Sequence, residues 1–263
     1  MSKIDKNTKI VEVEERETTQ HFEYSIKMMR WLLQFGGMWP VVSTTYPKIL
    51  RLLLTSVVWF ILLFFTIPSC LHMCIIVKDF KIRLRLIGPL SFGLMNIFKF
   101  VSVLMRENQL RECIEWMATD WRSVRSQVEK SLMFENAKSA KTFTMICVVF
   151  KYVSGISYSA LFSFLRDPIV VNNKTTRMLA YPGYFIFFDP YDHFRKMYVL
   201  HTMVSITQST ITCGVASIGI VCVMHVCGQI AVTSWMLRKV DADGFDAVIF
   251  GRIVEKHLRA IAF

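Results

Sequence analysis

Residues 52–77 read LLLTSVVWFILLFFTIPSCLHMCIIV, about 26 consecutive positions without a formal charge. A hydrocarbon core about 30 Å thick is crossed by roughly 20 apolar residues of α-helix, so this stretch spans a bilayer with residues to spare. Pro68 predicts a kink in its later part, because proline removes an N–H from the helical ladder. Three more apolar runs follow: Leu86–Met105 with Lys99, Thr142–Leu165 with Lys151, and Met197–Leu237 with no formal charge. The expected fold is an all-α membrane protein with about four transmembrane helices.

The last run is the informative one. It covers about 41 residues, or about 60 Å of helix at 1.5 Å per residue. Two spans would need a turn near Gly214–Gly219, where no Pro, Asn or Asp supports one. One helix is the preferred reading, its C-terminal half leaving the membrane to pack on other helices.

Composition agrees. The chain of 263 residues is 53% hydrophobic and only 19% charged, with mean hydropathy +0.40, whereas soluble domains carry roughly 25% charge. The net charge of +11 does not make this a nucleic-acid binder, because Lys and Arg gather between the apolar runs, where membrane proteins need them. They are roughly twice as many before the first span, in 106–141 and after 237 as in 78–85 and 166–196, which places both chain ends in the cytosol. Met1–Gln20 is polar and lacks the apolar core of a signal peptide, so the first span serves for insertion. Three regions result: a cytosolic N-terminus with an interfacial helix (1–48), a membrane domain (49–237) with a cytosolic helical loop at 106–141, and a cytosolic segment (238–263). Asn173 heads the sequon Asn173-Lys174-Thr175 on the outer side, a glycosylation candidate.

Two segments have amphipathic order. Phe22, Ile26, Met29 and Leu33 share one helical face, the interfacial helix leading to the first span. Leu110, Ile114, Met117, Trp121, Val124 and Val128 recur at heptad-like spacing, a seam for packing against partner helices. A further amphipathic helix is expected around Val248–Ala260.

Chemistry is sparse. Seven Cys show no zinc-type spacing or disulfide framework. His201 and His225 lie about 36 Å apart along one helix, and Asp192 and His193 have no nucleophile beside them. No catalytic residue, metal site or cofactor is expected, and the chain is not read as an enzyme. Lys151 either lines an aqueous cavity or snorkels to the cytosolic side. The outer halves of the later spans carry Phe92, Met95, Gly155, Tyr158, Ser159, Phe162, Tyr198, Thr202 and Ser205. This mixture of rings, thioether, small residues and hydroxyls suits a pocket for a small lipophilic ligand. It equally suits helix packing and interfacial anchoring.

Several local patterns carry a resemblance. Trp31-Leu32-Leu33-Gln34-Phe35-Gly36-Gly37-Met38-Trp39-Pro40 resembles the Gly-x-Trp-Pro entry to the first span of insect odorant receptors. Asp120-Trp121, the outer stretch Tyr181-Pro182-Gly183-Tyr184 through Phe188-Asp189-Pro190, and His225-Val226-Cys227-Gly228-Gln229-Ile230 resemble, in order, later segments of that family. The resemblance implies an inverted seven-helix subunit with a cytosolic N-terminus. Such subunits assemble as hetero-tetramers with a co-receptor into odorant-gated nonselective cation channels in the plasma membrane of olfactory sensory neurons. It implies a small volatile hydrophobic ligand in the outer membrane half, with membrane lipid around and no nucleic acid partner. Four of the seven helices are present here. The fifth, sixth and pore-lining seventh are missing from this sequence, so the expectation is a partial chain or a truncated receptor that does not itself conduct. The alternatives are a four-span accessory or scaffold protein without a channel, and a gustatory-type relative.

Overall fold

The computed structural model describes residues 2–40, 48–124, 126–165, 168–171, 174–177, 179–181, 183–185, 188–243 and 247–262. Within these, the side chains of 2–14, 160, 162–163, 169, 171, 174, 241–243 and 260–262 are not described. Seven α-helices are present among the described residues: α1 (Ser2–Phe35), α2 (Lys48–Leu71), α3 (Phe80–Met105), α4 (Glu107–Arg122), α5 (Gln127–Leu165), α6 (Phe194–Asp243) and α7 (Ala247–Ala262). A hairpin of two three-residue strands, β1 (Ile169–Val171) and β2 (Lys174–Thr176), pairs antiparallel in the α5–α6 connection. The protein is all-α in class, and a membrane protein by the length and apolarity of its helices.

The chain divides into two compact units. The first comprises Met1–Trp31, Glu107–Met145 and Ala216–Phe263; the second comprises Leu32–Arg106 and Ile146–Val215. The second unit contains α2, α3 and the later and earlier parts of α5 and α6. Residues 146–165 of α5 and 194–215 of α6 measure about 30 and 33 Å at 1.5 Å per residue, one hydrocarbon thickness each. Among the described residues, three helical stretches, Lys48–Ile76, Phe80–Met105 and Phe194–Val240, are long and apolar enough to cross a membrane.

The third expected span lies in α5, where the side chains of residues 160 and 162–163 fall outside the described residues. Its outward surface is apolar: Phe150, Val153, Leu161 and Phe164 are all more than half exposed. In water such a stripe is unfavourable at roughly 25 cal/mol per Å², and in lipid it is at home.

The uninterrupted α6 bears out the one-helix reading of its 41-residue run. Gly214 is buried within it, and a Cβ there would meet Leu33 and Met38 at 3.2 and 3.3 Å. It marks a close approach of side chains and not a turn. Pro68 lies inside α2, which widens into a π-helical turn over His72–Ile76, one of the recognised places for a helix to relax near proline. The second span starts earlier than its hydropathy suggests, at Phe80, because Asp79 caps it by accepting from the Lys81 N–H at 2.8 Å.

In the first unit, Ile26 and Met29 of the expected interfacial helix are 1% exposed, and Phe22 packs on a core of Trp121, Met133, Val232, Met236 and Ile253. That face is covered by protein, while Trp31 and Phe35 are exposed. The heptad seam holds from Leu110 to Val124, all buried, but Val128 is exposed. Helix α4 ends at Arg122, so the turn before α5 resets the helical phase.

Candidate functional site

The later half of the second unit converges on Tyr181. Gly36 and Gly37 set up the entry: Gly37 adopts φ +67°, and the Met38 and Trp39 N–H groups fold back to the Leu33 carbonyl at 2.8 and 3.1 Å. A Cβ on Gly37 would lie 2.9 Å from the Thr55 nitrogen, and Thr55 donates its hydroxyl to the Gly37 carbonyl at 3.1 Å. This lock ties the end of α1 to α2. Farther along α2, Phe65 meets Tyr181 edge-on, 4.8 Å between centroids. Tyr158 of α5 and His201 of α6 each lie 5.4 Å from the same ring. Ser205 hydrogen-bonds Tyr181. Burial, reinforced by Tyr158, pushes the Tyr181 phenol up to about 12, against the opposing Ser205 bond, so it remains a protonated donor at physiological pH.

Helix α6 presents polar groups to this interior at helical spacing: His201, Ser205, Gln208 and Ser209, all buried. Below them Thr212 donates to Asn96 of α3 at 2.8 Å, and Tyr152 of α5 hydrogen-bonds Thr210. Hydroxyl and amide pairs of this kind join helices in a medium that offers no water. Three buried atoms of this unit lack a hydrogen-bond partner among the described residues: Thr66 Oγ1, His201 Nδ1 and Gln208 Nε2. Each such atom costs about 1–3 kcal/mol unless something else satisfies it.

The expected pocket residues divide. Tyr158 and Ser205 join the Tyr181 cluster, and Ser159 is fully buried, donating to the Ile156 carbonyl at 3.2 Å. A Cβ on Gly155 would approach Ser205 Oγ at 2.8 Å and Ser209 Oγ at 2.9 Å, so Gly155 sets the separation of α5 and α6. Tyr198 lies apart, between the rings of Phe164 and Phe194 at 5.8 and 6.1 Å, and Thr202 donates to its carbonyl. Phe92 lies beneath Lys151, whose ammonium is 3.9 Å from the ring centroid; a cation–π contact thus holds this lysine. Met95 is more than half exposed. The Phe162 side chain and Asn173 fall outside the described residues.

Sequence reasoning passed over Phe65, and it noted Tyr181 and His201 without placing them in a pocket. It also passed over a cavity of about 420 Å³ walled by Phe60, Phe64, Ile67 and Leu71 of α2 with Tyr184, Phe185 and Phe188 of the α5–α6 connection. The loop is pinned there by the Tyr184 N–H, which donates to the Pro68 carbonyl at 2.9 Å. The signal was present in the aromatic-Pro stretch 181–190, but only folding brings it against α2.

No protein-family model matches this chain, and no curated protein does. A solved structure of the insect olfactory receptor OR5 from Machilis hrabei is similar, with a TM-score of 0.65 and 14% sequence identity. The match covers 89% of this chain and 62% of that one. The fold is odorant-receptor-like. At this identity the likeness concerns the fold, and the chain spans less than two thirds of the receptor it matches.

Proposed function

We propose that this chain is a chemosensory receptor subunit that binds a small lipophilic molecule in the outer part of its membrane unit. The observation carrying the reading is the His201 imidazole, buried against the Tyr181 ring with Nδ1 unpartnered among the described residues. Rings supply apolar area, and a lone polar atom supplies direction, the combination a small-molecule site needs. Tyr158, Tyr181, His201 and Ser205 form the polar contact set, and a separate recess between α2 and the α5–α6 connection, beside Phe64 and Phe185, offers apolar volume. The ligand is a volatile with one hydroxyl or carbonyl. The sequence resemblance, with the fold likeness beside it, supports the finer reading of a subunit that works in the plasma membrane with a co-receptor as part of a ligand-gated cation channel.

The direct test is thermal stability of the chain in phosphatidylcholine nanodiscs against a panel of small alcohols, ketones, esters and hydrocarbons. Binding to the folded state raises the melting temperature in proportion to ln(1 + [L]/Kd). Polar members of the panel are expected to stabilise, and His201→Leu is expected to move the preference toward hydrocarbons. A panel with no stabilising member, or a ranking unchanged by His201→Leu, rejects the site. Co-expression of a chain extended by the remaining helices with a co-receptor, read as ligand-evoked cation current, tests the channel role separately.

A further inference from the structure

We infer that the first unit holds a binding site for a phosphate-bearing anion, in a cavity of about 250 Å³ where the end of α4, the middle of α6 and the face of α7 meet. Four cations line it: Arg122, Arg252, Lys256 and Arg259. Two carboxylates of the lining, Asp120 and Glu255, are joined nearby by Glu129, so positive charge is in excess among the described residues.

Two of these carboxylates, Asp120 and Glu129, are already engaged. Asp120 receives His225 Nε2 at 3.1 Å and Arg259 Nη2 at 2.9 Å. Glu129, 2% exposed, faces Arg252 Nη2 at 3.3 Å and Lys256 Nζ at 3.8 Å. A guanidinium has five N–H donors in a planar fork, and these contacts engage one terminal nitrogen of Arg259 and one of Arg252, which also reaches the Ser123 carbonyl at 3.4 Å. Arg122 forms no ion pair among the described residues, and the buried Lys256 ammonium makes no hydrogen bond there. Burial lowers the pKa of Lys256 despite Glu129 beside it, so an added anion would relieve a cost already present.

The chemistry favours phosphate over a carboxylate. Donors arrive from both α4 and α7, suiting a tetrahedral group with several acceptor oxygens and up to two charges. Planar forks pair bidentately with such oxygens. The volume accommodates a phosphoryl group with part of the alcohol it esterifies. Two sources share that chemistry, a soluble phosphate ester and a lipid headgroup.

The experiment uses the full chain in phosphatidylcholine nanodiscs. One arm titrates radiolabelled inositol trisphosphate from solution; the other dopes the nanodisc with phosphatidylinositol bisphosphate and reads the melting temperature. Saturable binding in the first arm identifies a soluble ester. Stabilisation in the second arm alone identifies a headgroup. Arg122→Gln, at an exposed position, and Lys256→Met, of similar length, are each expected to weaken binding about tenfold, equivalent to about 1.4 kcal/mol. Circular dichroism checks that both variants fold. The site is overturned if neither probe acts, or if both folded variants retain wild-type affinity.

Discussion

The two units solve the same packing problem with different chemistry. In the first, ionised side chains enter the interior: Asp120, Glu129, Lys130 and Lys256 are all under 9% exposed. In the second, the buried polar residues are hydroxyls, amides and an imidazole, from Thr66 and Asn96 to His201 and Gln208. Its outer surface carries Leu52, Phe60, Phe98 and Phe150, each more than half exposed. A charge pair is tolerable where water can reach its rim, but in hydrocarbon the desolvation cost outweighs the attraction. Hydroxyls can satisfy themselves on their own helix, as Thr202 and Thr210 do on the carbonyls of Tyr198 and Ile206. The solvent of each unit is thus legible in its interior as well as on its surface.

The contrast is open to direct attack. Glu129→Gln should be the most damaging change, because it leaves Arg252 and Lys256 facing a neutral group. Removing one partner of a buried pair costs about 3–5 kcal/mol, measured as lost stability to denaturant in detergent. Next is Gly37→Ala, at about 1–2 kcal/mol for the left-handed backbone, plus the clash with the Thr55 nitrogen. Its melting temperature should fall even though no polar contact is deleted.

In the second unit, Thr212→Val removes one neutral hydrogen bond to Asn96 and should cost about 0.6–1.7 kcal/mol, the range found between membrane helices. A cost as large as that of Glu129→Gln would break the comparison. The gentlest effect is a pH slope. Burial holds the Lys256 ammonium below its ordinary pKa of 10.5, so between the two values the unfolded chain binds more protons and stability rises with pH. Below that window the penalty is fully present. Lys256→Met should flatten this rise relative to wild type in melting curves taken across the alkaline range.

Much of this was readable in the linear pattern. Apolar runs located the expected spans, and the lack of a breaker between Gly214 and Gly219 made α6 continuous. The seam from Leu110 to Trp121 marked the buried face of α4. Where reading failed, distance in sequence was the reason. Asp120 and His225 were noted in separate motifs, yet 105 positions separate them. Glu129 and Arg252 lie 123 apart. The amphipathic face of α1 was legible but its partner was not, because periodicity reports that a face is covered and says nothing of what covers it.

From its sequence alone this protein was bound to place apolar helices in lipid, since a backbone surrounded by hydrocarbon must satisfy its own hydrogen bonds and long charge-free runs have no other favourable solvent. Only the tertiary structure decided which ring lies against His201, which cations gather about Asp120 and Glu129, and that α1 packs on protein. Those outcomes depend on side chains meeting across helices, and no local periodicity encodes the partner.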